Sequence, residues 1–274
     1  MNYRHAYHAG NFADLVKHAG LLRLLALMKA GTQPLTVIDT HAGRGLYDMR
    51  APETVRSGEA QAGMGRLIDA DDLPEIMQPL KDAVVRASGG EGAGVYPGSP
   101  WLIAEALAAR GTYIACELRP EEHTELAEVL KDRKGVRTSC TDGYGAAVER
   151  CPETGRVLIL IDPPFEKPDD YRRIVSTLRG VARKNASAVV MIWLPIKDLE
   201  TFDHFLREAE DLEIGPLTIA EARIRPLDDP MRMNGCALVV ARAPEGLDQD
   251  LKAICRWTVD NLGQDGQARV WKIL

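Results

Sequence analysis

The chain's 274 residues, 45% hydrophobic and 27% charged, suffice for one large domain or for one domain carrying a small insertion. No apolar run approaches the roughly 18 residues that span a bilayer, and the polar, aromatic start MNYRHAYHAGNFADLVKH is unlike a signal peptide. The net charge of −6 argues against a uniformly basic nucleic-acid-binding surface, because phosphate contacts need Lys and Arg, although a local basic patch would suffice.

Residues 11–30 have the pattern of a helix capped by Asn11, with Asp14 at the third helical position as a variant capping box and Gly31 closing it. Residues 35–38 form a short buried strand that runs into the glycine-bearing turn Asp39-Thr40-His41-Ala42-Gly43-Arg44-Gly45. Over 49–95 the pattern breaks. Glycines, helical stretches near 57–69 and 73–87 with Pro79 inside the second, and the closing GGEGAG predict an inserted helical subdomain; 1–48 and 96–274 make the main domain. Ser99-Pro100 then starts a helix, as cap and first position, reaching 110. Strands at 112–116, 136–140, 156–161 and 188–194 alternate with helices at 121–133, 143–151, 169–184 and 199–212. The tail adds strands near 217–224, 235–242 and 268–273 and a helix near 247–262. Apolar strands alternating with amphipathic helices predict an α/β fold, a mostly parallel sheet covered on both faces.

Four segments at successive strand ends carry chemistry. At the first, an acid followed by Gly43-Arg44-Gly45 lets backbone approach a nucleotide-like ligand, though the full dinucleotide spacing is missing. At the second, Glu117 stands where a ribose diol is held; it lies 78 positions after Asp39, and the insertion accounts for the excess over the usual offset. At the third, Asp142 before Gly143 can accept from an adenine amine or simply cap the next helix, and the sequence leaves both open. The fourth decides: a buried strand running straight into Asp162-Pro163-Pro164-Phe165. An aryl amine is a weak nucleophile because its lone pair is shared with the ring. The Asp162 carboxylate and the Pro163 carbonyl can accept its two N–H bonds, orient the lone pair and stabilise positive charge as a methyl group arrives. Phe165 offers a face on which a flipped base stacks. Asp162 need not be a strong base, but its side chain must face the cofactor cavity.

This order of glycine loop, ribose acid, adenine acid and amine motif resembles class I (Rossmann-like) methyltransferases. A narrower likeness follows from Tyr3-Arg4-His5, His8-Ala9-Gly10-Asn11, Asp14, Lys17-His18, Asp39-Thr40-His41-Ala42-Gly43, Tyr96-Pro97-Gly98-Ser99-Pro100, Glu117, Asp142-Gly143 and Asp162-Pro163-Pro164. Together they resemble the bacterial ribosomal RNA large subunit methyltransferase J family over nearly the whole chain. The resemblance implies methylation of adenine N6 in 23S rRNA not yet packed into a ribosome, by a cytoplasmic monomer using S-adenosyl-L-methionine. It implies cofactor contacts from His18, His41, Ser99, Glu117, Asp142, Gly143 and Asp162, to which the glycine-loop reading adds Gly43. It makes Asp162 catalytic, beside Pro163 and Phe165, and puts Tyr3 on the substrate side, with Arg4 and Phe165. Phe165 departs from the Tyr that is commoner there, keeping the stacking face and losing the hydroxyl.

Other readings compete. Asp-Pro-Pro-aromatic also serves N4 of cytosine, adenine in DNA or a protein glutamine, although no DNA-reading module is evident. A retained fold that binds RNA without activity and a nicotinamide dehydrogenase are further alternatives. His5, His8 and His18 lack a carboxylate or cysteine to complete a metal set, and no metal is expected. Cys116, Cys140, Cys151, Cys236 and Cys255 include no Cys-x-x-Cys pair and read as reduced cysteines. Basic clusters that could meet phosphate are Arg4 with His5 and His8, the run Arg172, Arg173, Arg179, Arg183 and Lys184, and Arg223 with Arg225 and Arg232.

Overall fold

A computed structural model describes residues 8–31, 33–90, 94–108, 110–229 and 232–274. Tyr3, Arg4 and His5 lie outside the described residues. The centre is an eight-stranded sheet. Five parallel strands, β1 (Leu35–Asp39), β4 (Gly111–Glu117), β5 (Val136–Cys140), β6 (Arg156–Ile161) and β7 (Val189–Ile196), form one part of it. Three antiparallel strands, β8 (Leu217–Arg223), β9 (Gly235–Ala241) and β10 (Gln267–Ile273), complete it in the order β10-β8-β9-β7-β6-β1-β4-β5.

The inner strands are mostly apolar because both faces are covered, the edge strands β5 and β10 carry polar, partly exposed residues, and the two-residue period assigns alternate side chains to separate cores. Leu158 and Leu160 of β6 join one core, whereas Val157, Ile159 and Ile161 join the other. The first core packs under α1 (Phe12–Lys29), α4 (Gln78–Ala87), α5 (Ser99–Leu107) and α10 (Leu247–Leu262). The second packs under α7 (Gly143–Arg150), α8 (Asp170–Lys184) and α9 (Leu199–Glu210). The chain steps from β1 out to β4, then β5, and returns to β6 on the other side of β1. That reversal opens a crevice at the carboxyl ends of β1 and β6, the position where open α/β sheets bind ligands.

Several local expectations change. Asn11 caps α1 through Ala13 and Asp14 N–H, but Asp14 Oδ2 reaches past the cap to accept from Gly10 N at 2.9 Å. The expected 57–69 helix is interrupted. α2 (Pro52–Ser57) stops at Gly58, whose φ of 69° closes it, and a π-helical turn over Gln61–Gly65 precedes α3 (Arg66–Asp69). Pro79 sits in the first turn of α4, where its missing N–H costs no hydrogen bond, so 73–87 divides into a 3₁₀ turn (Glu75–Met77) and α4. Strands β2 (Leu46–Asp48) and β3 (Val95–Pro97) pair antiparallel as a stem beneath these helices. Leu67, Met77, Leu80 and Val84 share the first core with Leu15 and Leu21 of α1. Gly98, not Ser99, caps α5, and the helix ends at Leu107 with Ala108 left-handed, short of residue 110.

Candidate active site

A cavity of about 740 Å³ opens at the crevice, within the range that holds a small-molecule cofactor. One wall consists of the loops after β1, β4 and β5. Gly43 N donates to Glu117 Oε2 at 2.9 Å and Arg119 N to Oε1 at 2.8 Å, so two backbone groups fix the Glu117 carboxylate. Gly43 has φ of 67° and lies so near Tyr47 that an added Cβ would stand 2.5 Å from its hydroxyl oxygen. A Cβ on Gly143 would stand 1.8 Å from the Thr40 carbonyl, so the loop after β5 closes on the loop after β1 only through glycine.

Asp142 takes the capping role. Its Oδ1 caps α7 through Tyr144 N–H at 3.3 Å, while Oδ2 pairs with Arg173, whose guanidinium lies 4.3 Å over the Tyr144 ring. It still lines the cavity. Burial pushes the His41 pKa down to about 3, leaving a neutral ring. Thr40 Oγ1 donates to the Leu160 carbonyl, so His41 Nδ1, 2.7 Å away, is the donor to that oxygen and Nε2 is an acceptor. His18 is buried with Nδ1 2.8 Å from the Tyr96 hydroxyl. Ser99 spends its hydroxyl on Asp39 Oδ2 at 2.7 Å. What the start of α5 can offer a ligand is therefore backbone N–H. Asp39 is fully buried behind the loop, and burial raises its pKa to about 7 against the opposing Ser99 bond.

The opposite wall is α1 and the segment after β6. Asp162 Oδ2 pairs with Lys17 Nζ at 2.6 Å, and Lys17 pairs with Asp14 at 2.7 Å. Burial opposes charge on Lys17, but the two carboxylates outweigh it and hold the ammonium well above its ordinary pKa. The pair belongs to the cavity wall: Asp14, Lys17 and Asp162 all line it. Phe165 follows in the left-handed region, φ 50°, a conformation that costs an aromatic residue strain. Its ring rests against Tyr171 (5.0 Å) and Trp193 (5.8 Å). Arg119 and Glu166 pair at 3.0 Å, joining the loops after β4 and β6 at the cavity edge.

The family model for ribosomal RNA large subunit methyltransferase D, RlmJ matches residues 32–273. The chain belongs to this family. The protein named ribosomal RNA large subunit methyltransferase J from Haemophilus influenzae is 30% identical over 97% of this chain and 95% of its own. The protein of that name from Escherichia coli strain K12 is 28% identical over 94% and 92%. A crystal structure of a Legionella pneumophila protein superposes with a TM-score of 0.87 at 26% identity, covering 96% of this chain and 98% of that one.

A member of this methyltransferase family needs a methyl donor of the S-adenosylmethionine type. The residues present fit one: a carboxylate fixed by two N–H groups, loops that glycine alone allows to close, and a free helix start. Among the described residues no group of three His, Cys, Asp or Glu side chains is arranged to hold a metal, and no helix is long and apolar enough to cross a membrane. The residues that sequence reasoning missed are Asp14 and Lys17 as cavity groups, Arg173 as the partner of Asp142, and Trp193. Lys17 lies 145 positions from Asp162, so the sequence carries no spacing signal for the pair.

Proposed function

We propose that the protein transfers the methyl group of S-adenosyl-L-methionine to N6 of an adenine in 23S rRNA. The observation that carries this reading is a single cavity with the backbone-fixed Glu117 in one wall and the Asp162 carboxylate in the other. In it, Glu117 accepts from the ribose hydroxyls, and Asp142 receives the cofactor's adenine amine on the lone pairs its cap and Arg173 leave. The α5 start, with Ser99, receives the methionine carboxylate through N–H groups and the helix dipole. Gly43 and Gly143 admit the nucleoside, and His18 and His41 flank it. When bound, the sulfonium supplies an electrophilic methyl group.

Asp162 works as an oriented acceptor. Lys17 holds Oδ2, and Oδ1 makes no hydrogen bond among the described residues, so it accepts one N–H of the target amine. The Pro163 carbonyl, beyond the end of β6 and without a ladder partner, accepts the other. Holding both N–H bonds turns the lone pair toward the methyl group and stabilises the charge that develops. Phe165 stacks on the extruded base, and Tyr3 and Arg4 contact the substrate. The protein acts as a cytoplasmic monomer on rRNA not yet assembled, and 49–95 is an inserted subdomain of its methyltransferase domain.

The test is mass spectrometry of nucleosides from 23S rRNA of a strain lacking this gene, incubated with the protein and cofactor. N6-methyladenosine is the expected product. Asp162→Ala should lower the rate at least about a hundredfold, the usual scale for losing one transition-state contact, and should lower thermal stability as well, because the buried Lys17 then keeps only Asp14 as a partner. Methylcytidine, unmodified RNA, or wild-type turnover by Asp162→Ala would overturn the reading.

A further inference from the structure

Between Arg172 and Lys184, α8 carries five basic side chains and no acidic one, in a chain of net charge −6. Two of the five are spent internally: Arg173 on Asp142 and the Tyr144 ring, Lys184 on the Val148 and Glu149 carbonyls at the end of α7. The other three, Arg172, Arg179 and Arg183, are exposed and form no ion pair among the described residues. Several arginines elsewhere are ion-paired, as in Arg23–Asp250, Arg44–Glu122, Arg119–Glu166 and Arg133–Glu105, and exposed ones without an ion pair among the described residues, such as Arg56, Arg86 and Arg110, are scattered over separate segments.

At 3.6 residues per turn, positions 172, 179 and 183 fall within about 40° of one another around the helix, and they span about 17 Å along it. They form one narrow stripe. Arg179 and Arg183 are like charges at a spacing of four, which repel on an isolated helix. The neighbouring α9 is mixed in charge, exposing Glu200, Asp203 and Glu210 with Arg207. All three are arginines, whose planar guanidinium matches a phosphate with two parallel hydrogen bonds. α8 begins eight residues after Asp162, at the carboxyl end of β6. Arg172 is therefore in the turn nearest the cavity edge and Arg183 in the turn farthest from it.

We propose that this stripe docks the RNA backbone next to the target base, with Arg172, Arg179 and Arg183 on successive phosphates leading away from the cavity. The inference rests on rRNA as substrate. It explains why a chain of net negative charge leaves three arginines in line and unpaired on one helix.

The test compares the triple variant R172A/R179A/R183A with R110A/K252A/R256A. The second removes the same charge from exposed positions away from α8, two of them on α10. Both are titrated against protein-free 23S rRNA over a range of salt. For the α8 variant, KM for RNA at moderate salt should rise about tenfold or more. The plot of log affinity against log salt should flatten by about 2 to 3, close to one unit per lost phosphate contact. Its kcat at saturating RNA, cofactor affinity and melting temperature should match wild type. The control should keep the wild-type slope. Wild-type affinity and slope in the α8 variant, or equal losses in both variants, would overturn the inference alone. A wild-type protein that does not methylate this RNA would overturn the reading of the substrate, and this inference with it.

Discussion

The two walls of the cavity are built on opposite electrostatic principles. The strand-end wall is held by backbone and its ion pairs are partly exposed: two N–H groups fix Glu117, Asp142 meets Arg173 near the surface, and the groups buried in or behind it are shifted toward their neutral forms, His41 down to about 3 and Asp39 up to about 7. The α1 wall is charged, an Asp14–Lys17–Asp162 row in which each carboxylate oxygen that meets Lys17 is within 2.7 Å. A backbone-held wall keeps its shape when a side chain changes; a row of buried charges does not. The largest effect is therefore expected at Lys17. Lys17→Met keeps most of the volume but strands two carboxylates, one of them almost fully buried, and breaking a buried pair from one side costs about 3–5 kcal/mol. The melting temperature should fall by several degrees and kcat about tenfold or more, while cofactor affinity, set mainly by the other wall, changes much less. Thermal unfolding, single-turnover rates and calorimetric cofactor titration read these separately; a wild-type melting temperature would show that the row is not a buried ion network.

The α1 wall has a second dependence that the strand-end wall lacks, on the segment between β2 and β3. Glu59 accepts from Asn11 Nδ2 at 3.0 Å and lies 3.0 Å from His8 Nδ1, a contact that raises the His8 pKa. Met64 N donates to the Gly10 carbonyl at 2.8 Å, and the next link is Gly10 N to Asp14, the partner of Lys17. The π-helical turn thus grips the start of the helix that carries Lys17. Gly63 makes the grip possible, since a Cβ there would meet Gly10 O at 2.2 Å and Asn11 backbone atoms below 3 Å. Gly63→Ala should cost about 1–3 kcal/mol by overpacking. It should lower kcat a few-fold through the displaced α1 start, with cofactor affinity within about twofold. Equal losses in kcat and cofactor affinity would mean that the segment supports the whole cavity, not one wall.

The same contrast explains what could be read in advance. Glu117 and Asp162 each stand at the end of an apolar strand, and Asp142 follows the short strand Val136–Cys140 just before a glycine, so a linear pattern locates them, and the sheet that carries them follows from the alternation of strands and helices. Asp14 and Lys17 look in sequence like an ordinary pair three apart on a helix. Only the tertiary placement of α1, which brings Lys17 to the residue just after β6, gives them Asp162, and their burial on a helix with apolar neighbours on every side has no periodic signature. Ser99 was misread because Ser-Pro is a frequent helix start. The competing demand comes from Asp39, sixty positions earlier and buried, whose other donors, Tyr113 Oη and His41 N, are longer at 3.3 Å. The break in the expected 57–69 helix has no propensity signal, because Gly58 acts through positive φ and Gly63 and Gly65 through close contact.

The smallest expected effect tests the neutral wall by pH. Between about pH 4 and 6.5 the unfolded chain holds Asp39 ionised, whereas the fold keeps it protonated up to about 7, so raising the pH through this window weakens the fold. His41 does the reverse. It is protonated in the unfolded chain below its ordinary 6.5 and neutral in the fold down to about 3, so raising the pH strengthens the fold. The two slopes oppose each other and largely cancel in the wild type. Asp39→Asn should remove one slope, so that its melting temperature relative to wild type climbs by a few degrees from pH 4.5 to 6.5. His41→Asn should remove the other, so that its relative melting temperature falls over the same range. Burial is the main cause of the Asp39 shift, with Asp162 adding to it and Lys17 opposing it, so the Asp39 trend should keep its sign in a Lys17→Met background. The His41 trend, whose charged neighbours are Asp142, Arg173 and Lys167, should be unchanged there. Parallel, pH-independent offsets for both variants would mean that the strand-end wall holds these groups charged, and the division between a neutral and an ionic wall would not stand.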